Sequence, residues 1–413
     1  MSWIVNKDEK GFAEIRKKAK SALASMEFPG LKDEDWKYTK LGKISKKSFT
    51  VENIKKSKAV NEKFFSEASV RFVFENGFFR EGLSKGSSPY IKRISDLTEQ
   101  QLTSALAETG YVKEGIIPSY NDAFFTDGVY INIPAGTTVE GVIELVYISN
   151  GNAQASVVKN IILAGEKSNA ELVFNFTSEN ATENLVNHVF HAAVHAGAKL
   201  TLYKIQDEIT GVSHFSSENI FQKNNSVFEI HTITLNGDLV RNDLNIKVDG
   251  TGCHTHLGGV FVATNHMHVD NHTIVDHQKP DCTSDEIYKG IAGDKATGVF
   301  NGKIFVRRNA QKINAYQNSA NVLLSDDASI YTKPELEIYA DDVKCSHGTT
   351  TGCLDEAALF YLRARGIGEE NARNLLIHAF ANDMIEKIAN DGVRNWILEK
   401  MDAKLERDLK PIA

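Results

Sequence analysis

The chain has 413 residues, 42% of them hydrophobic and 24% charged, with a formal net charge of −7. That composition excludes whole-chain disorder and a collagen-like fibre, and it supplies a large core without structural disulfides or metal. The acidic balance gives no electrostatic footprint for a nucleic-acid partner.

Only 7 prolines occur, which suits long hydrogen-bonded ladders because proline removes a donor from a sheet. No stretch approaches the roughly 20 uninterrupted apolar residues of a membrane span, so no membrane partner is expected. The opening MSWIVNKDEK has no apolar leader core. Cys253, Cys282, Cys345 and Cys353 form no CxxC pair, which argues against a zinc ribbon or a self-sufficient iron–sulfur run. They read as reduced thiols of a cytoplasmic protein.

Residues 1–110 read as a mostly helical N-terminal domain. From Lys7 to Met26, Phe12, Ile15, Ala19, Leu23 and Met26 recur three or four apart and predict one helix, which Pro29 and Gly30 end. The run Asp33 to Thr39 follows, then an extended piece from Val70 to Phe74. A further helix is predicted from Asp96 to Glu108, with Ser95 as its cap.

Residues 111–350 change to a period of two. Val129–Ile133, Val142–Ile148, Ser156–Leu163, Ala170–Phe176, Lys199–Ile205, Ser226–Leu235, Asp243–Val248, Gly258–Ala263 and Gly298–Val306 are β-branched or aromatic runs bounded by turn residues. Asn150-Gly151, Asn236-Gly237, Asp249-Gly250 and Asn301-Gly302 read as tight corners, where positive φ is needed. Propeller blade motifs are absent, and the uneven spacing reveals no clean repeat. The pattern predicts a large all-β core and leaves sandwich and solenoid open.

Residues 351–413 return to the helical period. Ala358, Leu359, Tyr361 and Leu362 start a helix that ends at Gly366. Glu369 and Glu370 open a second, with the stripe Ala372, Leu375, Leu376, Ala379, Phe380, Met384 and Ile388. A third follows Asp391-Gly392 and carries Val393, Trp396, Ile397, Met401 and Leu405. So short a unit must pack on the core or on a partner.

No P-loop motif occurs, and Gly250-Thr251-Gly252 lacks the third small residue of a dinucleotide fingerprint. His254-Thr255-His256 and His266-Met267-His268 are HxH pairs, with His272, His277 and Cys282 close behind. Residues two apart share a strand face, so each pair could grip a metal in a cupin-like or β-helix enzyme. The carboxylate that normally follows such a pair is missing, and a polar strand face is the favoured reading. Cys345 and His347 have the same spacing; imidazole beside a thiol can stabilise thiolate and share iron or zinc. Two ligands do not complete a site, and a cysteine packed as a small hydrophobe is an equal alternative.

The block from Pro334, PELEIYADDVKCSHGTTTGCLDEAALFYLRARGIGEENARNLLIHAF, resembles the SufB/SufD family of scaffold subunits in the SUF machinery for iron–sulfur cluster assembly. FPGLKDEDWKYTKL (28–41), VDHQKPDCTSDEIYKGI and FNGKIFVRRNAQKINAYQNSANVLLS match as well, so the resemblance spans nearly the whole chain. SufB-like chains are longer and carry a cluster-building cysteine in the run resembling Gln317 to Leu324. Here that run holds no thiol, and the glutamate-rich form of the CSHG turn is also absent. The departure favours the SufD branch.

The resemblance implies a right-handed parallel β-helix flanked by helical N- and C-terminal domains, and a non-catalytic scaffold. It implies pairing with SufB through the β-helix core and with the SufC ATPase through the C-terminal helices. Asp355, Leu359, Tyr361, Leu362, Arg363 and Arg365 are the expected ATPase contacts, and the apolar stripe behind them the expected docking surface. The family's interfacial histidine falls on His347, with Cys345 beside it. Iron or a nascent cluster is expected at the SufB interface, with no cofactor held stably by the isolated chain; a homodimer in isolation is an open possibility.

Overall fold

The structure, a computed structural model, describes residues 3–6, 9–54, 64–110 and 114–408. Near the N-terminus β1 (Ile4–Asn6) pairs in parallel with β2 (Phe49–Val51), with helix α1 (Ala13–Leu23) between them in sequence. β3 (Ala68–Glu75), β4 (Phe78–Phe79), β5 (Ile91–Arg93), α2 (Glu99–Glu108) and α3 (Ile116–Phe124) follow. Then come β6 (Val129–Ile133), β7 (Thr138–Asn152), β8 (Ala155–Ala164), β9 (Asn169–Thr182), β10 (Leu185–Val194) and β11 (Lys199–Asp207). β12 (Ser213–Gln222), β13 (Val227–Asn236), β14 (Leu239–Val248), β15 (His254–Ala263) and β16 (His268–His277) continue the run. It ends with β17 (Thr283–Ala292), β18 (Thr297–Val306), β19 (Ile313–Leu323), β20 (Ser329–Ile338) and β21 (Val343–Cys353). Helices α4 (Glu356–Ala364), α5 (Glu369–Ile385) and α6 (Asp391–Asp408) close the described chain.

Successive strands alternate between two sheets, of order β20-β18-β16-β14-β12-β10-β8-β6-β5 and β21-β19-β17-β15-β13-β11-β9-β7-β3-β4. β5 pairs antiparallel with β6, but among β6 to β21 every pairing is parallel, giving a β-solenoid of about eight turns. The choice between sandwich and solenoid is thereby made. Parallel in-register strands put each side chain on top of its counterpart one coil away. Leu172, Leu202, Ile230 and Leu257 form one such interior column. The sequence hid the repeat because the coil length varies: Ser213 pairs with Leu239, 26 residues on, but Thr297 with Ser329, 32 on. β10, β12, β16 and β19 also escape a hydrophobicity reading, because they carry buried polar residues such as His188, Ser216, Asn271 and Gln317. Inside the solenoid these are partnered: Lys204 Nζ lies 2.6 Å from Glu218 Oε1 and 2.8 Å from Asn242 Oδ1.

The corners use the expected residues only in part. Asn225, Asn265 and Asp294 take positive φ (56°, 59° and 53°) between strands, where a short polar side chain tolerates it. Gly250 sits where a β-carbon would lie 2.2 Å from the backbone of the coil below. Asn301-Gly302, expected as a corner, lies inside β18. Its glycine is needed for a different reason: a side chain there would collide with Gln317 and Phe300.

The outer faces of both sheets are covered. Trp3, Phe49, α2 and α3 pack on the β8, β10 and β12 side, with Trp3 buried among Phe28, Tyr120 and Phe215. Helix α1 is shorter than its apolar period, with Phe12 in the left-handed region at its start; Lys7 lies outside the described residues. The cap of α2 is Thr98, in a reciprocal capping box with Gln101, and not Ser95. Ser95 instead donates its backbone N–H and hydroxyl to the buried Asp127 carboxyl, at 3.0 and 3.1 Å. α3 falls in the stretch read as strand-dense, and β3 and β5, from before residue 110, join the solenoid sheets.

From α1 the chain crosses the outer face of the β20-to-β5 sheet as a strap. Arg241 of β14, almost wholly buried, lies over the Trp36 ring at 3.7 Å and donates to the Asp35 carbonyl at 2.8 Å. It also pairs with Asp243 (2.9 Å) and Asp270 (2.7 Å), while Thr39 bonds Asp270. Farther along, Lys333 meets Glu34 at 2.6 Å and Tyr38 stacks on Tyr331.

The other sheet is covered by α5 and α6. Ile377, Ala381, Met384, Ile385, Ile388, Val393, Trp396, Ile397, Met401 and Leu405 are buried against Tyr203, Ile233, Val260, Val262 and Ile291. This corrects the expectation of a wide unpaired stripe: Phe380, Met384 and Ile388 of it pack on the chain's own solenoid. Leu375 and Ala379 of that stripe face outward instead.

Candidate functional site at the open end of the solenoid

The last coil has neighbours on one side only. β20 pairs with β18 and β21 with β19, and each is an edge strand. Pro334, in the middle of β20, fits an edge because its missing donor breaks no ladder there. β21 contains no proline, so its backbone row is the more complete of the two edges. Tyr316, Tyr331, Ile338 and Tyr339 are exposed around this end.

Cys345 and His347 share one face of β21, and the register assigns that face. Ile313, Ala315, Gln317, Ser319 and Asn321 are the inward, buried residues of β19, and Cys345 pairs with Ala315, His347 with Gln317. Cys345 is half-buried and packs against the interior cluster, whereas His347 is exposed. Burial pushes the Cys345 thiol above its ordinary value, against a smaller opposite pull from a hydrogen bond with the Ala315 backbone. The thiol is therefore held protonated, which is the reverse of the thiolate that the spacing suggested.

Beneath His347 the interior column changes character. Leu172, Leu202, Ile230 and Leu257 give way to Glu286, Gln317 and His347 in the last three coils. Gln317 Nε2 donates to Glu286 Oε2 at 2.8 Å. Burial pushes the Glu286 carboxyl up to about 7, against hydrogen bonds from Thr273 and Gln317. A proton-holding acid thus sits two coils below the exposed imidazole. Sequence reading missed both Glu286 and Gln317; the signal is their in-register stacking at 31 and then 30 residues, visible only once the coil length is known.

The histidine pairs are not brought together. His254 and His256 lie on the outer face of β15, bonded to Thr283 (2.7 Å) and Asp285 (3.2 Å). His266 is in the turn before β16, so it does not share a strand face with His268, which bonds Thr39 at 2.8 Å. His272 contacts Asp270 at 2.9 Å and His277 contacts Ser284 at 3.0 Å. Among the described residues, no group of three or more His, Cys, Asp or Glu is arranged to hold a metal.

Of the residues expected to meet an ATPase, Asp355 caps α4 by accepting from the Ala357 and Ala358 N–H groups at 2.8 and 3.2 Å. Leu359 is buried, and Leu362 partly so. Tyr361 is exposed beneath Arg365, and Arg363 reaches Glu369 at 3.3 Å. Phe360, absent from the expected set, is 74% exposed, the most open large apolar side chain among the described residues. No helix among the described residues is long and apolar enough to cross a membrane.

Residues 147–380 match the SufBD core domain of SUF system FeS cluster assembly, and residues 2–145 match the SufBD protein N-terminal region. The chain belongs to the SufBD family. Iron-sulfur cluster assembly protein SufD of Escherichia coli K12 is 28% identical over 91% of this chain and 89% of its own length. Protein ABCI7, chloroplastic, of Arabidopsis thaliana is 30% identical over 92% of this chain and 83% of its own length. A SufBD family protein of Synechocystis is 28% identical, covering 90% and 86%. These matches make the chain a SufD-type SUF component with a role in iron–sulfur cluster assembly.

Proposed function

We propose that this SufBD-family chain is a non-catalytic scaffold that pairs with a SufB-type subunit across the open end of its solenoid. The observation that carries the reading is the polar end of the interior column, where His347 stands exposed over Gln317 on an edge strand. An edge strand accepts backbone pairing from another chain, and an imidazole held at that edge is a borderline ligand. Iron, or a nascent cluster, is cargo at this interface: His347 offers nitrogen, Cys345 a thiol that must lose its proton on ligation, and the partner the remaining donors. The partnership is cytoplasmic in this reading, in keeping with four unpaired cysteines, of which Cys353 is exposed.

A SufC-type ATPase docks on α4 in this proposal, against Phe360, Tyr361 and the Arg363–Arg365 edge. Exposed aromatic and arginine side chains favour a protein contact. Co-expression of this chain with tagged SufB- and SufC-type subunits tests the reading. A ternary complex is expected, and recovery of the tagged pair without this chain overturns it.

A further inference from the structure

Outside the open end, one constellation of unpartnered donors lies between the solenoid and its C-terminal helix. His231 and His256 occupy neighbouring strands β13 and β15 on the outer face that α5 covers, with ring centroids 5.3 Å apart. His231 Nδ1 and His256 Nε2 are both buried and have no hydrogen-bond partner among the described residues. A buried nitrogen left without a partner is costly. Met384, wholly buried near the end of α5, adds a thioether.

All three crowd against Gly258, where the absence of a side chain lets them approach one another. A β-carbon built on Gly258 would stand 2.8 Å from Met384 Sδ, 2.9 Å from His231 Nδ1 and 3.5 Å from His256 Nε2. The opposite nitrogen of His256 faces Asp285 at 3.2 Å. A carboxylate accepting from Nδ1–H fixes the tautomer that leaves Nε2 with its lone pair outward, the usual support of a metal-binding imidazole. His256 also lines a surface groove with Glu229, Asp285 and Tyr316, which provides a way in.

We propose that His231, His256 and Met384 form a three-donor site for a soft monovalent cation of the copper(I) class, bound between β13, β15 and α5. Two imidazoles and a thioether select such an ion, because thioether sulfur is a weak partner for harder divalent metals. To share one ion the imidazole nitrogens must approach it to roughly 2.0 Å and the thioether to roughly 2.3 Å. Side-chain rotation supplies that, and methionine is the most adaptable of apolar residues. Occupancy joins the helix to the sheet by coordination, so it holds the C-terminal helices to the solenoid. This inference is independent of the pairing proposed above.

Anaerobic competition with bicinchoninate for copper(I) tests it, in full-length protein carrying Cys345→Ser and Cys353→Ser. The buried Cys253 and Cys282 stay in every variant and cancel in the comparison. One equivalent of copper(I) is expected, with a raised melting temperature. Met384→Leu and Gly258→Ala should each abolish that binding, and Asp285→Asn should weaken it about tenfold. Met384→Leu keeps the packing volume, so a folded variant without copper supports the site. Failure of the parent to hold copper, undiminished binding in Met384→Leu, or equal retention of zinc(II) in both overturns it.

Discussion

Gln317 donates to Glu286 at 2.8 Å, which commits the amide directly beneath His347 to a carboxyl in the solenoid interior. Glu286 is wholly buried, and its pKa is raised from 4.5 to about 7. Raised in the fold, it titrates first in the unfolded chain. Stability on its account is therefore full below about pH 4.5, falls as pH rises towards 7, and is level above. The loss is roughly 3 kcal/mol. Urea unfolding of the wild type and Glu286→Gln from pH 4.5 to 8 should give profiles that diverge by about that amount. Parallel profiles would show that the carboxyl is ionised in the fold throughout.

His347→Ala removes an exposed side chain from an edge strand, so stability should change by no more than about 0.5 kcal/mol. On the proposed reading, the variant still copurifies with a SufB-type subunit while the complex assembles less cluster. Iron and acid-labile sulfide per complex are the measurement. Undiminished loading would take this imidazole out of the mechanism.

The ATPase surface calls for point substitutions. Cutting the chain before Asp355 would strip α5 and α6 from Ile233, Val260, Val262 and Ile291, and the truncated protein should aggregate. Phe360→Ser with Tyr361→Ser leaves that packing alone, because both side chains are exposed. The pair should keep the wild-type melting temperature within about 2 °C and lose capture of a SufC-type ATPase. Capture at wild-type strength would move the docking surface elsewhere.

How much of this was legible beforehand depends on what each residue answers to. Val129–Ile133 and Lys199–Ile205 show their strands in sequence because their inward residues are apolar. His188 and Gln317 hide theirs, since these interior polar groups bond neighbours one coil away, Asn160 and Glu286, and follow no local pattern. Helix α5 shows the same limit from the other side. Its period was evident, but whether Leu375 or Ile377 faces inward depends on which sheet lies opposite. Cys345 and His347 could be singled out by spacing. That the thiol is buried and the imidazole open follows from β21 being the last coil.

Arg241 lies among Asp243, Asp270, His272 and Trp36, and it is the point where the N-terminal strap is fixed to the solenoid. Burial alone would raise the Asp270 carboxyl, but His272, Arg241 and Thr39 together hold it well below its ordinary value. Arg241→Leu would remove the permanent charge facing that buried carboxylate and leave it only His272 and Thr39, at a cost of about 3–5 kcal/mol. Trp36→Leu removes only the ring face and should cost about 1–2 kcal/mol. The two variants also differ in where the fold opens. With the guanidinium gone, limited trypsin digestion should cut first at Lys32, Lys37 or Lys40, in the strap, while the parallel coils persist. Cleavage elsewhere first, or equal destabilisation by both substitutions, would show that the ring contact and not the ion pairs anchors the segment.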